Sequence, residues 1–190
     1  PALTRIPRGG LLPTSTGQER LWFVDRFEGA RGNYVVPFAI RLSGDLSIEA
    51  LRRAVESLYA RQEILRTRLV DVDGRAWVEI LPDVGGALRE ERLDRGEADA
   101  TGSLEAHLLA SPAVVRAIKR PFSLDRAPLV RFELFTTPDP RDHVLLLTLH
   151  HAVTDGWSVS LLVEELFSAY ARECKKADLL VVPESAVGFV

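Results

Sequence analysis

The spacing of apolar residues along the chain predicts interleaved strands and helices. Runs rich in β-branched and apolar residues predict strands at 34–42, 64–70, 76–81, 89–93, 128–136 and 143–149. Apolar positions three and four residues apart predict helices at 16–27, 47–59, 101–119 and 158–174, the third interrupted at Ser111–Pro112. Because these elements follow no strict β-α-β order, the pattern predicts an α/β (α+β) fold with a mixed β-sheet covered by helices.

Local signals refine several of these elements. Thr16 to Glu19 fits a capping box at the start of the first helix, Ser47 can cap the second, and Pro112 suits a first helical turn. Asp71-Val-Asp-Gly74 lies between two apolar runs and predicts a β-hairpin. Pro37 cannot donate a backbone hydrogen bond, so it predicts an edge position or a bulge in its strand.

Composition narrows the class of protein. The chain has 190 residues, of which 46% are hydrophobic and 27% charged, and a net charge of −3, as expected for one well-packed domain. Its arginines are scattered among acidic residues, which argues against a nucleic-acid-binding face. No apolar run reaches the roughly 18 residues that a membrane span needs, and no signal-peptide pattern opens the chain. The single cysteine, Cys174, allows no internal disulfide, which is compatible with a cytoplasmic protein, and we interpret it as a bystander.

The two ends suggest a piece of a longer polypeptide. The chain contains no methionine, and its last stretch ends on apolar residues. We expect a lead-in at residues 1–14 and one lobe at 15–176. We expect residues 177–190 to begin a linker to a second lobe that this chain lacks.

The chemistry is concentrated in one segment, His150-His151-Ala-Val-Thr-Asp155-Gly156. It follows a strongly apolar predicted strand and precedes a predicted helix, and such loops commonly carry function in α/β folds. Side chains alternate between the faces of a strand, so His151 would share a face with Leu149, and His150 would lie on the other. The two histidines therefore cannot have the same role if the strand extends to residue 151.

Two other interpretations of the histidine pair remain open. Two histidines and an aspartate could bind zinc or iron, although adjacent strand histidines diverge and no further Cys/His cluster is present. Both histidines could also be satisfied core or loop residues. Asp155 would need a cationic partner if it were buried, and Gly156 would permit a positive φ or close approach of a ligand.

The segment resembles the HHxxxDG signature of condensation domains in nonribosomal peptide synthetases and of the wider chloramphenicol-acetyltransferase-like acyltransferases. Three more segments are similar to motifs of that family and occur in family order. Ser15-Thr-Gly-Gln-Glu-Arg-Leu-Trp-Phe-Val24 resembles SxAQxRLWxL, Arg61-Gln-Glu-Ile-Leu-Arg-Thr67 resembles RHExLRT, and Arg120-Pro-Phe-Ser-Leu-Asp-Arg-Ala-Pro-Leu129 resembles PFDLxxxPLxR. The resemblance covers about residues 11–175. It implies the N-terminal lobe of a chloramphenicol-acetyltransferase-like fold.

The resemblance also implies an activity and its partners. In this family a donor thioester and an acceptor α-amine, both carried on phosphopantetheine arms of carrier proteins, are joined as an amide. His151 matches the catalytic histidine, with His150 and Gly156 beside it. Asp155 matches an aspartate thought to be structural, and Arg66 is our candidate for its partner, with Trp157 as further support. The expected partners are two peptidyl carrier proteins, the C-terminal lobe and a neighbouring adenylation domain, with no directly bound cofactor.

Departures from the family pattern and rival functions are part of the expectation. Gln62 stands where the family usually has histidine, and Gly17 where it has alanine. In the family the reaction tunnel lies between two lobes. Because this chain has only one of them, the chain alone is expected to be inactive. An O-acyltransferase, an epimerization domain and a non-catalytic carrier-protein-binding fragment are the alternatives.

Overall fold

The computed structural model describes residues 9–28, 34–93, 111–174 and 182–188. A small sheet contains β1 (Leu12–Pro13), β3 (Thr67–Val72) and β4 (Arg75–Ile80) in the order β1-β4-β3. A larger sheet has the order β5-β6-β7-β2-β8 and contains β2 (Val35–Ser43), β5 (Leu88–Arg92), β6 (Val130–Thr136), β7 (Asp142–His150) and β8 (Val182–Gly188). Strands β5 and β6 run parallel and the other neighbours in this sheet antiparallel, which confirms the predicted mixed sheet.

Helices cover both faces of the larger sheet. The described α-helices are α1 (Thr16–Glu28), α2 (Ile48–Arg61), α3 (Pro112–Lys119) and α4 (Gly156–Glu173). Helices α2 and α4 bury their apolar sides against one face, where they meet Leu145, Leu147 and Leu149 of β7. Helix α3 packs against the other face, which includes Val144 and Leu146. The alternation of β7 residues between these two clusters is the period-two pattern of a strand buried on both faces.

Several local predictions are confirmed. Ser47 caps α2 by accepting a hydrogen bond from the Ala50 amide at 3.3 Å. Pro112 occupies the first turn of α3, and the structure adds a cap by Ser111, whose Oγ accepts from the Val114 amide. The hairpin turn between β3 and β4 has positive φ angles of 52° at Asp73 and 78° at Gly74, as a type I′ turn requires.

Other local predictions need correction. The capping box lies one residue earlier than predicted: the Ser15 amide donates to Gln18 Oε1 at 3.0 Å, and the Gln18 amide donates to Ser15 Oγ at 3.2 Å. The strand predicted from residue 64 begins at Thr67, because Glu63–Arg66 forms a short 3-10 helix. Strand β2 lies between β7 and β8, but the described pairing with β8 begins only at Phe38. Within the described residues Pro37 itself pairs only with Thr148 of β7, and the register with β8 shifts between Ile40 and Leu42.

Two predictions concern segments near the limits of the described residues. The first part of the helix predicted at 101–119 lies outside the described residues, which resume at residue 111. The segment 177–190, expected to begin a linker, contributes β8 to the larger sheet at Val182–Gly188. The domain boundaries themselves stay a prediction.

Candidate active site

The two adjacent histidines lie where β7 ends. His150 is the last residue of β7 and is only 4% exposed, whereas His151 begins the loop to α4 and is exposed. We call residues 151–155 the histidine loop. The predicted division between a buried and an exposed histidine is present. It arises because the chain leaves the sheet after His150, and not because strand alternation continues to His151.

His150 is held in a closed, apolar environment. Its ring lies 6.2 Å from the rings of both Tyr34 and Phe122, centroid to centroid. Its Nδ1 accepts a hydrogen bond from the Ala152 amide at 3.0 Å. Burial, together with the neighbouring His151, lowers the pKa of His150 to about 4. The ring is therefore neutral at neutral pH, and its single proton lies on Nε2 because Nδ1 accepts.

His151 combines a fixed backbone with an exposed side chain. Its amide donates to the carbonyl oxygen of Tyr34 at 2.9 Å, which ties the loop to the start of β2. The Val153 amide donates to the carbonyl oxygen of His150 at 3.0 Å and closes the turn. A side chain on such a turn projects from a rigid base, so its imidazole can meet a substrate without rearrangement of the sheet.

Asp155 caps helix α4 and does not pair with Arg66. The exposed carboxylate accepts hydrogen bonds at Oδ1 from the amide and the hydroxyl of Ser158, both at 2.7 Å. These hydrogen bonds lower the pKa of Asp155. Arg66 instead donates to backbone carbonyls, including Tyr59 at 2.7 Å and Leu81. The expected ion pair is therefore wrong, because the guanidinium is already satisfied by carbonyls in the last turn of α2 and just after β4.

Gly156 and Trp157 begin α4 without close packing. Gly156 has no positive φ, and a Cβ built on it would meet no atom within 4 Å. The side chain of Trp157 is 79% exposed. The expected structural support from Trp157 is not seen, because the indole projects from the helix surface. Open space at Gly156 instead leaves the backbone at the start of α4 accessible.

A pocket of about 210 Å³ opens beside the histidine loop. It lies between the short 3-10 helix and the first three turns of α4. On its rim, Gln62 Nε2 donates to both carboxylate oxygens of Glu165, at 3.0 and 2.8 Å. The remaining lining is mostly apolar and comprises Ile64, Leu65, Leu149, Val153, Thr154, Ser158, Leu161 and Leu162.

The described part of the chain offers neither a metal cluster nor a membrane span. Within the described ranges, no group of three or more His, Cys, Asp or Glu side chains could hold a metal ion. Among the described helices, none has both the length and the apolar character that crossing a bilayer requires.

The sequence as a whole is similar to known proteins of one family. The profile described as "Condensation domain" matches residues 9–185, which is nearly the whole chain. The chain belongs to the condensation domain family. One component of linear gramicidin synthase from Brevibacillus parabrevis is 38% identical over 170 residues, covering 90% of this chain and 2% of that protein. Malpibaldin synthetase of Mortierella alpina is 40% identical over 169 residues, covering 88% of this chain and 3% of that protein.

Solved structures agree with this condensation domain assignment at the level of the fold. The first condensation domain of the CDA synthetase matches with a TM-score of 0.75 at 22% identity, covering 93% of this chain and 42% of that chain. The X-domain in a complex with OxyB from teicoplanin biosynthesis matches with a TM-score of 0.76 at 26% identity, covering 96% and 37%. The chain thus spans less than half of these solved chains and a few per cent of the curated relatives.

Within the condensation domain motifs, sequence reasoning missed the contact made by Gln18. Its side-chain Nε2 donates to the carbonyl oxygen of Ala152 at 3.1 Å and so joins α1 to the histidine loop. The only signal in the sequence is the spacing of Ser15 and Gln18, which predicts a cap but not the second hydrogen bond. Gln62, the departure from the usual histidine, is the residue that binds Glu165 on the pocket rim.

The corrected role of Asp155 in the HHxxxDG motif gives a stability prediction. Asp155→Ala removes the cap of α4, so we expect the melting temperature to fall by a few degrees. Asp155→Asn keeps a good capping side chain and should remain close to wild type. Differential scanning calorimetry of both variants measures this. An equal, large drop for the asparagine variant would contradict the capping role and point to a required negative charge.

Proposed function

We propose that this chain is the histidine-bearing N-terminal lobe of a condensation domain that forms peptide bonds. The observation that supports this best is the exposed His151 beside a buried, neutral His150 at the end of β7. Family membership gives the reaction class. The substrates are a donor aminoacyl or peptidyl thioester and the α-amine of an acceptor, each on the phosphopantetheine arm of a peptidyl carrier protein.

The proposed reaction needs little from the protein beyond placement and one proton transfer. The acceptor nitrogen attacks the donor carbonyl carbon, a C–N bond forms, the C–S bond breaks, and the proton that the nitrogen loses ends on the departing pantetheine sulfur as a thiol. His151 either takes the proton from the attacking amine or orients it and stabilises the tetrahedral intermediate. A free α-amine has a pKa of about 8, so a strong base is not required near neutral pH.

An assay with loaded carrier proteins tests this function and its alternatives together. A two-lobed condensation domain that contains this chain is mixed with an aminoacyl donor carrier and an aminoacyl acceptor carrier. Mass spectrometry of the acceptor carrier should show a dipeptidyl group and an emptied donor. Ester formation with a hydroxyl acceptor in preference to the amide would favour an O-acyltransferase. Deuterium uptake at the α-carbon without bond formation would favour an epimerization domain.

A non-catalytic fragment that binds carrier proteins is the remaining alternative. Such a fragment would bind a loaded carrier protein and yield no amide. Retention of carrier protein with no product in the assay above would therefore select this candidate.

A further inference from the structure

The backbone N–H and the backbone C=O of Ala152 are both hydrogen-bonded to side chains. The Ala152 amide donates to Nδ1 of His150 at 3.0 Å, and the Ala152 carbonyl oxygen accepts from Nε2 of Gln18 at 3.1 Å. Ala152 is itself buried and directly follows His151. The backbone on the C-terminal side of His151 is therefore fixed by the neighbouring side chain of His150 and by Gln18, which is 134 positions away.

The orientation of the Gln18 amide is fixed by its two partners. Its Oε1 accepts from the Ser15 amide at 3.0 Å, while its Nε2 faces the Ala152 carbonyl oxygen, which can only accept. The glutamine thus acts as the second half of the α1 cap and as a donor to the histidine loop. Glutamate could replace it in the first role but, when ionised, not in the second.

The two ends of the loop around His151 then have independent attachments. On the N-terminal side, the His151 amide donates to Tyr34 at 2.9 Å. On the C-terminal side, Ala152 is attached through Gln18 to helix α1. Because a misplacement of about 1 Å at a reacting group can cost about 100-fold in rate, the loss of one attachment should be felt in catalysis.

We propose that Gln18 is a positioning residue for His151, which acts by holding the Ala152 carbonyl oxygen so that the exposed imidazole keeps one location relative to the substrates. The proposal rests on the proposed function for its kinetic consequence. Its structural content, the attachment of the histidine loop to α1, can be measured without the reaction.

Gln18→Glu separates the two roles of the side chain. The carboxylate can still accept from the Ser15 amide, so the cap remains, but it presents an acceptor to the Ala152 carbonyl oxygen. In a two-lobed condensation domain that contains this chain, we expect at least a tenfold fall in kcat with KM for both loaded carriers unchanged. The melting temperature should stay within about 2 °C of wild type, since the cap is retained.

The matched control is Ser15→Ala. It removes the hydroxyl that accepts from the backbone amide of Gln18. The backbone amide of residue 15 and the Gln18 side chain remain in place. We expect a melting temperature lower by about 2–4 °C and an unchanged kcat.

Amide hydrogen exchange at residues 151–153 distinguishes failure of this proposal from failure of the proposed function. Faster exchange in Gln18→Glu than in Ser15→Ala supports the attachment, whether or not amide product forms. Unchanged exchange, or a wild-type kcat with a lowered melting temperature, would overturn it. If the wild-type protein forms no amide while exchange responds as expected, the proposed function fails and the attachment stands.

Discussion

Replacing His151 with alanine is expected to lower kcat/KM for amide formation by about 100- to 10,000-fold in a two-lobed condensation domain that contains this chain. This range is what a positioned acid–base group contributes. The side chain is exposed and lies on a loop whose backbone is held by other residues. Its removal therefore takes away chemistry without opening a cavity.

The measurement combines single-turnover kinetics with a thermal melt. The rate at which the dipeptidyl group forms on the acceptor carrier should fall by the factor given above, while the melting temperature stays within about 1–2 °C of wild type. Glu164→Ala, an exposed substitution on α4 away from the pocket lining, provides the matched control and should keep full activity. Near-full activity in the His151 variant would contradict a role for this residue in the reaction.

The unfolding free energy of the lobe should fall as the pH is lowered from about 6.5 towards 4, and His150 should account for much of the fall. Burial lowers its pKa from 6.5 to about 4. Between these two pH values His150 is therefore protonated in the unfolded chain but not in the folded chain. A lowered histidine pKa gives stability that is complete above the unfolded value and is lost below it. A shift of this size corresponds to about 3 kcal/mol, at about 1.36 kcal/mol per pKa unit.

His150→Asn isolates this contribution from that of the carboxylates. The asparagine Oδ1 can accept from the Ala152 amide as Nδ1 does, but it does not titrate. Urea unfolding at a series of pH values should show a flatter profile for the variant, with the two curves converging at low pH. Parallel curves for the two proteins would contradict the lowered pKa of the buried histidine.

The sequence predicted those parts of the fold whose signal is local. The hairpin needed only Asp73 and Gly74 in a turn that demands positive φ, and the cap at Ser47 needed only a short polar side chain before an apolar stripe. Strand β7 was recognisable from its apolar run. Each of these depends on neighbours within a few residues, so periodicity and turn chemistry were sufficient.

The parts that were missed depend on partners far apart along the chain. Gln18 and Ala152 are 134 positions apart, and nothing near either residue indicates their contact. The family resemblance pairs Arg66 with Asp155, but the donors of Arg66 are satisfied by carbonyl oxygens, which every residue carries and no sequence pattern marks. For Asp155 the signal was present, since aspartate before a helix with serine at position 158 is a capping pattern. The family resemblance instead leads to the expectation that Asp155 forms an ion pair with Arg66.

The location of the histidines at the end of β7 has a consequence for how the lobe tolerates change. Strand β7 is flanked by β2 and β6, and its residues 143–150 are all buried. Such a strand opens only when the whole lobe unfolds, whereas β5, which lies at the edge of the described sheet and is mostly exposed, can loosen at lower cost. Substitutions in β5 should therefore reduce the yield of folded protein well before they alter turnover per folded molecule. Protein engineers who graft new outer surfaces onto this lobe would then need to screen for expression first and for specific activity second.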